Sequence, residues 1–327
     1  DHLTQKISVI VNMKTDRVME NYGKAAADIQ NIINIIRTAP APEIPVSSSK
    51  VNFTCNVTQE EYCKLVEKTK EYIIDGDIFQ AVISRQFSTP YEGSLINPYR
   101  VLRTTNPSPY MVYLSIDGEE IMSTSPETLV RLENGRLTTF PVAGSRPRGR
   151  TPEEDKVLEK DLLSDEKELS EHNMLVDLGR NDLGKISNFD SVEVTKYMMI
   201  HRYSKIMHIC SQVESNIRSN CDGLSAIESV LPAGTLSGAP KIRACEIIEE
   251  LESEQRGIYG GALGYLDFTG NLDTCIAIRM AVKKDGHVYV QAGGGIVADS
   301  IPENEYMESY NKALAVMNAV KNAKEVL

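Results

Sequence analysis

Several absences narrow the possible functions of this 327-residue chain. It has no Trp and no run of about 18 consecutive apolar residues, so the sequence predicts no transmembrane helix. Its six cysteines are scattered and form no CxxC pair, a pattern typical of reduced, buried thiols in a cytoplasmic protein. Basic residues are in the minority, because 35 Lys and Arg stand against 46 Asp and Glu. The resulting formal charge of −11 disfavours a nucleic-acid-binding surface.

Common catalytic motifs are also missing. No G-x-S-x-G or G-x-C-x-G turn is present, which disfavours a serine or cysteine hydrolase. No G-x-G-x-x-G opens a strand-to-helix turn, and no glycine loop ends in the Lys-Ser/Thr of a phosphate loop, so a nucleotide site is not indicated. The five His have no metal-ligand spacing, so zinc is poorly supported. The composition, 41% hydrophobic and 25% charged, is that of a globular protein with one large domain or two.

The N-terminal segment differs in composition from the rest of the chain. Residues 5–13 are rich in β-forming side chains and predict a strand, and the isoleucines spaced along residues 20–38 predict a helix. The Pro- and Ser-rich stretch at 39–50 predicts an extended linker. We therefore expect a boundary there, with residues 1–50 separate from a main domain at 51–327. Since the chain opens within a pattern and without Met, we expect it to be part of a longer protein.

Local signals place the elements of the main domain. Thr58 and Glu61 form a capping box for a helix, residues 77–87 predict a strand, and Asn134-Gly135 predicts the turn of a hairpin. Further predicted elements are an acidic helix from Thr151 to about Leu178, a strand meander at 257–295, and a last helix capped at Ser300 that runs to about Lys324. Strands come in runs rather than in βαβ alternation, so the sequence predicts an α+β fold with large, mostly antiparallel sheets.

Two pairs of glutamates could hold a cation. Glu168 and Glu171 are three residues apart on one predicted helix, and Glu305 and Glu308 have the same spacing on another. Like charges at this spacing repel, so each pair destabilises its helix unless a cation is near. Carboxylate oxygens suit Mg²⁺. In so acidic a chain, a solvated acidic face is the more frequent explanation when the pairs are taken alone.

Three glycine-containing loops, at 141–150, 232–241 and 291–297, expose backbone N–H groups that suit an anion. Arg279 and Lys312 occur in the same regions, so the set favours a small ligand with more than one carboxylate. Ordinary turns are the alternative interpretation.

Five long segments together resemble the chorismate-utilising enzymes, and among them most closely the large subunit (component I) of anthranilate synthase. They are PVAGSRPRG, DEKELSEHNMLVDLGRND, LPAGTLSGAPK, GIYGGALGY and GGGIVADSIPENE, in that order from residue 141 onward. The resemblance runs from about residue 55 to the end. It implies the chorismate-binding fold, whose large sheets enclose the active site. It also implies that residues 1–50 are the remnant of a larger N-terminal region and that 51–327 form the catalytic domain.

The resemblance implies Mg²⁺-dependent conversion of chorismate and ammonia to anthranilate and pyruvate, the first committed step of tryptophan biosynthesis. Glu127 then resembles the acid that helps the C4 hydroxyl leave, and His208 the histidine of the pyruvate-elimination stage. From its apolar neighbours alone, His208 would be interpreted as a core histidine. The metal would be held by Glu171 and Glu308, with Glu168 and Glu305 as outer partners. Residues implied to hold substrate are Thr235, Tyr259, Arg279, Gly293, Gly294, Gly295 and Lys312.

Two positions separate the reactions that share this scaffold. Relatives that add water, the isochorismate and salicylate synthases, carry a base Lys where this chain has Gln80, and aminodeoxychorismate synthases carry a nucleophilic Lys where it has Ala143. Both positions favour anthranilate, with Gln80 placing ammonia. A non-catalytic chorismate binder is a further alternative. The resemblance also implies a glutamine amidotransferase subunit as the partner that supplies ammonia, because no cysteine here has the setting of a glutaminase nucleophile.

Overall fold

The computed structural model describes residues 1, 4–40, 43–45, 47, 50–203 and 206–326. These residues form two compact units, Asp1–Ile44 and Pro45–Leu327. Among the described residues, no helix has the length and apolar character needed to cross a membrane. The cysteines are free thiols, of which Cys210 and Cys275 are buried and the other four only partly buried. The expectation that all six are buried is therefore wrong for four of them.

The smaller unit contains one helix, α1 (Val18–Thr38), which confirms the helix predicted there. The strand predicted at residues 5–13 is wrong, because this segment has no regular secondary structure. Several of its apolar side chains are exposed, with Ile7 at 76% and Ile10 at 80%. A strand forms only when its backbone groups pair with a neighbour, and the described residues of this unit supply no second strand.

The larger unit contains two seven-stranded sheets, and every strand pair described is antiparallel. This confirms the α+β prediction. The first sheet has the order β1-β2-β14-β13-β4-β3, with β10 also paired to β2. Its strands are β1 (Thr54–Cys55), β2 (Gln80–Pro90), β3 (Tyr110–Ile116), β4 (Glu119–Ser125), β10 (Gly238–Ala239), β13 (Met280–Lys284) and β14 (His287–Ile296).

The second sheet has the order β11-β12-β5-β6-β9-β7, with β8 paired to β9. Its strands are β5 (Thr128–Glu133), β6 (Arg136–Thr139), β7 (Val142–Pro147), β8 (Glu193–Arg202), β9 (Ile206–Asn216), β11 (Ala262–Leu266) and β12 (Leu272–Ile276). The β5–β6 turn is the predicted hairpin, and Asn134 and Gly135 both adopt positive φ, as a type I′ turn requires. The predicted meander exists, but its four strands are divided between the two sheets.

In the described part of the larger unit, seven α-helices cover the sheets. They are α2 (Gln59–Ile74), α3 (Ile96–Thr105), α4 (Pro152–Leu162), α5 (Glu166–Gly184), α6 (Gly223–Val230), α7 (Lys241–Leu251) and α8 (Pro302–Lys321), with 3₁₀ turns at Gly234–Leu236 and Ala323–Val326. The capping box predicted at the start of α2 is present, because Thr58 and Glu61 bond each other's backbone N–H. One main core lies between the first sheet, α3 and α8, and a second lies between the second sheet, α5 and α6.

Two predicted helices need correction. The acidic region is not one helix: α4 ends at Leu162, and Asp165 begins α5 by accepting backbone hydrogen bonds from Lys167 and Glu168. The last helix ends at Lys321, and its N-cap is Ile301, which makes no side-chain cap. The Ser300 hydroxyl donates to Glu305 instead, at 2.7 Å.

Two short crossovers that lie side by side connect the two sheets, and the longer segments before and after β10 also pass from one sheet to the other. Residues 126–127 join β4 to β5, and residues 277–279 join β12 to β13. The hydroxyls of Ser123 and Ser125 donate to backbone carbonyls at or beside the second crossover, at 2.9 and 2.7 Å. These bonds hold the two crossovers side by side, so residues on one crossover lie close to residues on the other.

Candidate active site

Glu127 lies on the first crossover, at the start of the second sheet. The Thr235 hydroxyl, from the 3₁₀ turn before β10, donates to its Oε1 at 3.0 Å. A cavity of about 50 Å³ lies between these two residues and α5, and Asp182 is part of its lining. Burial raises the pKa of Glu127 to about 7, although the Thr235 hydrogen bond and the positive charges of Lys312 and Arg279 act to lower it. Glu127 can therefore hold a proton near neutral pH, as a general acid must.

Arg279 lies on the second crossover, where its backbone adopts a φ of 48°. Its side chain reaches a cleft of about 370 Å³ that is also lined by Glu308 and Lys312 of α8. No described residue makes a hydrogen bond or an ion pair with the Arg279 guanidinium. Lys312 donates to Glu308 at 2.7 Å and to the carbonyl of Gly293 at 3.1 Å. The cleft thus presents two cations, and Arg279 has its donors free for a carboxylate.

The glycine run of β14 lets other groups approach the backbone closely. A Cβ on Gly295 would lie 2.5 Å from Nε2 of Gln80, and a Cβ on Gly294 would lie 2.7 Å from Oε2 of Glu305. Gln80 is 4% exposed, and its Oε1 has no hydrogen-bond partner among the described residues. An amide oxygen in this state can accept an N–H from a small ligand.

Tyr259 lies beside the glycine run, near Gly293. It is 7% exposed, and burial raises its pKa, with the backbone N–H of Gly293 among the opposing influences. The guanidinium of Arg256 lies over its ring, 5.7 Å from the centroid. The side chain therefore stays a neutral hydroxyl beside the glycine run.

The four glutamates predicted as metal ligands lie on α5 and α8. Burial and the negative charges of Glu168 and Glu308 raise the pKa of Glu171, and burial and Glu308 act in the same direction on Glu305. The two helices therefore face each other closely enough for their carboxylates to interact. Repulsion of this kind is what a bound cation would relieve.

The donor atoms suit Mg²⁺, which prefers carboxylate oxygen. In the described residues, however, no three acidic, His or Cys side chains are grouped closely enough to hold one ion. Three of the four carboxylates have a protein partner: Lys312 binds Glu308, Ser300 donates to Glu305, and Arg146 lies 3.4 Å from Glu168. The residue types fit the metal, and magnesium binding stays a prediction.

His208 lies on β9, opposite Ser145 of β7. Its Nδ1 lies 3.1 Å from the carbonyl oxygen of Gly144 and the ring packs edge-on against Tyr203. Burial lowers its pKa, and the charge of Arg279 acts in the same direction. Both effects favour the neutral ring, which is able to accept a proton.

Three further residues from the sequence motifs have structural partners. Arg146 bonds Asp161 and Asp165 as well as Glu168, and Arg148 pairs with Asp155. His172 is fully buried, with Nε2 2.6 Å from the Ser211 hydroxyl. Sequence reasoning missed Glu252 and Arg256, a largely buried ion pair with contacts across the site. Their spacing of four residues is visible in the sequence, but it gives no sign of what they contact.

Comparisons with known proteins agree with this arrangement. A family model described as chorismate binding enzyme matches residues 1–318. The match begins at residue 1, so the resemblance is not confined to the chain after residue 55 as the motifs indicated. The chain is 52% identical to anthranilate synthase component 1 of Acetivibrio thermocellus, covering 100% of this chain and 68% of that protein. It is 50% identical to anthranilate synthase component 1 of Aquifex aeolicus, covering 99% and 67%.

A solved structure is also similar. The crystal structure of anthranilate synthase component I from Streptococcus pneumoniae TIGR4 superposes with a TM-score of 0.87 at 42% sequence identity, covering 97% of this chain and 71% of that chain. The predicted fold is confirmed by this match. With the acid, the cations and the glycine run in one region, and with the family model covering nearly the whole length, this chain belongs to the chorismate-binding enzyme family.

Proposed function

We propose that this protein is an anthranilate synthase that converts chorismate and ammonia to anthranilate, pyruvate and water, at the first committed step of tryptophan biosynthesis. The observation that carries the proposal is Glu127, a carboxyl with a pKa of about 7, held by Thr235 in reach of the charges of Arg279 and Lys312. Loss of a ring hydroxyl requires an acid, because water leaves far more easily than hydroxide. A protein that only binds chorismate has no need of such a group.

Substrate binding follows from the charges in the cleft. Chorismate carries two carboxylates, and Arg279 offers its free guanidinium to the enolpyruvyl carboxylate. Lys312 lines the same cleft and donates to the carbonyl of Gly293 in the glycine run. Mg²⁺, when bound by Glu171 and Glu308 with Glu168 and Glu305 around them, would neutralise the ring carboxylate and fix its position.

Two proton movements are assigned to residues of the chain. In the first stage ammonia, which donates an N–H to Oε1 of Gln80, adds to the ring. At the same time Glu127 gives its proton to the C4 hydroxyl, which leaves as water. In the second stage neutral His208 takes a proton from the ring carbon that bears nitrogen, and the neighbouring C–O bond breaks so that enolpyruvate leaves. Enolpyruvate becomes pyruvate when its methylene carbon takes up a proton, which restores neutral His208 if the imidazolium supplies it. Formation of the aromatic ring drives this elimination. A neutral amide suits ammonia, which needs to be positioned rather than deprotonated.

The ammonia source and the setting of the reaction are part of the same proposal. The relatives' name, component 1, implies a second component, and we assign that role to a glutamine amidotransferase subunit. The reaction takes place in the cytoplasm, in keeping with the free thiols.

The direct test supplies chorismate, Mg²⁺ and an ammonium salt and follows anthranilate by fluorescence, with chromatography of all products. Anthranilate that depends on ammonium supports the proposal. Isochorismate, salicylate or aminodeoxychorismate as the main product, or chorismate binding without turnover, would contradict it.

Gln80→Lys tests the choice of nucleophile. The substitution removes the amide that places ammonia and adds a cation, so anthranilate output should fall by about tenfold or more. Isochorismate or salicylate formation by the variant would show that a base at this position activates water. Unchanged anthranilate output would show that Gln80 does not face the nucleophile.

A further inference from the structure

Arg256 lies in the segment between α7 and β11, outside the residues assigned above. Its side chain is 18% exposed, and that of its partner Glu252 is 6% exposed. Nε and Nη2 of Arg256 donate to the two oxygens of Glu252 at 2.9 and 2.6 Å. This is a bidentate pair, the geometry that fixes a guanidinium most firmly.

The remaining donors of Arg256 reach two backbone carbonyls far apart in sequence. Nη1 donates to Leu236 at 2.5 Å, and Nη2 donates to Val82 at 2.6 Å. Leu236 follows Thr235, which bonds Glu127. Val82 lies two residues after Gln80 on β2 and pairs with Gly295 on β14. One side chain therefore joins the segment that holds the acid to the strand that carries the ammonia-placing amide.

Glu252 extends the same connection along β2. It accepts from the backbone N–H of Ser84 at 2.6 Å and from the Ser84 hydroxyl at 2.9 Å. Ser84 pairs with Gly293, and its hydroxyl accepts from Gln291 at 2.9 Å. Together with the guanidinium over the Tyr259 ring, these contacts link the Glu252–Arg256 pair to β2, to the Thr235 turn and to Tyr259.

We infer that Arg256, held by Glu252, is a positioning residue that fixes the Thr235 turn against β2 and so sets the separation between the acid and the nucleophile. The inference rests on the proposed anthranilate synthesis. Lysine cannot replace arginine in this role, because a single ammonium cannot serve a carboxylate and two carbonyls that lie in different directions.

The test compares wild type with Arg256→Lys after wild type has been shown to make anthranilate. Arg256→Lys should lower kcat by about 10- to 100-fold, since misplacement of reacting groups by about 1 Å has effects of that size. The pH profile gives a second readout. Thr235 lowers the pKa of Glu127, as do Arg279 and Lys312, so a loosened Thr235 contact moves the alkaline limb of kcat/KM upward. Both effects together are expected.

Four further variants separate positioning from general loss of structure. Thr235→Val should move the same limb upward, and Arg256→Lys combined with Thr235→Val should move it no further, because both act on one contact. Glu252→Gln should change kcat in the same direction as Arg256→Lys, and it replaces that variant if Arg256→Lys does not fold. Glu120→Gln is the matched control, since Glu120 is a buried carboxylate paired with Lys283 at 3.1 Å and bonded to the Leu95 N–H.

The outcomes are distinct. Glu120→Gln should lower the melting temperature while leaving the pH limb and kcat in place. An unmoved limb in Arg256→Lys, or shifts from Arg256→Lys and Thr235→Val that add, would overturn the positioning role while anthranilate synthesis stands. A wild-type protein that makes no anthranilate would overturn the proposed function itself.

Discussion

In the proposed reaction, Glu127 can act as an acid only while it holds its proton. With a pKa raised to about 7, its protonated form is present below that pH and is lost as pH rises through it. At a constant concentration of free ammonia, kcat/KM for chorismate should therefore fall about tenfold per pH unit on the alkaline side. Glu127→Gln should lower turnover about 100-fold and remove this limb. Initial rates across the pH range test both, and a limb that persists in Glu127→Gln would mean that another group controls it.

Substitution of Glu308 tests the predicted Mg²⁺ binding. Glu308→Gln keeps the shape of the side chain and removes its charge, so Mg²⁺ affinity should fall about 100-fold. Calorimetric titration with Mg²⁺ measures this without relying on turnover. Glu303→Gln serves as control, since Glu303 is an exposed acid on the same helix α8. Equal Mg²⁺ affinity in the two variants would remove Glu308 from the ligand set.

At the residue scale, the sequence identified types of group better than their partners. Motif resemblance pointed to Glu127 and Thr235, but their bond joins positions 108 residues apart, and no spacing within the chain reveals it. For the same reason the sequence did not indicate a role for Arg256, because its carbonyl partners lie 20 and 174 residues away. Ion pairing was equally invisible, so the role of Arg146 as a support for α5 emerged only from its contacts with Asp165 and Glu168.

Strand β14 offers a matched pair of substitutions. A Cβ on Gly295 meets the end of the flexible Gln80 side chain, whereas a Cβ on Gly293 meets the rigid backbone carbonyl of Ile83. Gly293→Ala should therefore destabilise the protein by about 1–3 kcal/mol, the cost of overpacking. Gly295→Ala should leave the melting temperature within about 1 °C of wild type. It should also lower kcat/KM for ammonia about tenfold by displacing the amide. Thermal melts and ammonia titrations of both variants check this, and a destabilised Gly295→Ala would contradict it.

At the element scale, the sequence correctly predicted those elements that are stabilised by contacts between residues close together in the chain. The capping box at Thr58 and the turn at Asn134-Gly135 satisfy their own backbone groups, so sequence predicted them. The strand at residues 5–13 failed because strand formation depends on a partner. The break at Asp165 was missed because the helical pattern continues on both sides of it, and a capping Asp differs from a helical one only through its contacts.

The two sheets should lose structure together, because the crossovers bind them at neighbouring points. Met317 of α8 is 2% exposed in the core of the first sheet, and Met317→Ala should destabilise the protein by about 2–5 kcal/mol. The loss should appear equally in hydrogen exchange of peptides from β4 and from β5, although β5 lies in the other sheet. Asn318→Ala, at an exposed neighbouring position, is the control. Lower protection confined to β4 would show that the sheets open separately.

The position of β14 between β2 and β13 has a consequence for synthesis of the protein. A nascent chain exposes Glu127 and the whole of β2 long before residues 287–296 leave the ribosome. Until then the long edge of β2 lacks the neighbour that will pair with ten of its residues, from Ala81 to Pro90. An open strand edge of this kind invites pairing with other chains. The unfinished protein is therefore exposed to aggregation during translation until β14 and the helix α8 that follows it have been made.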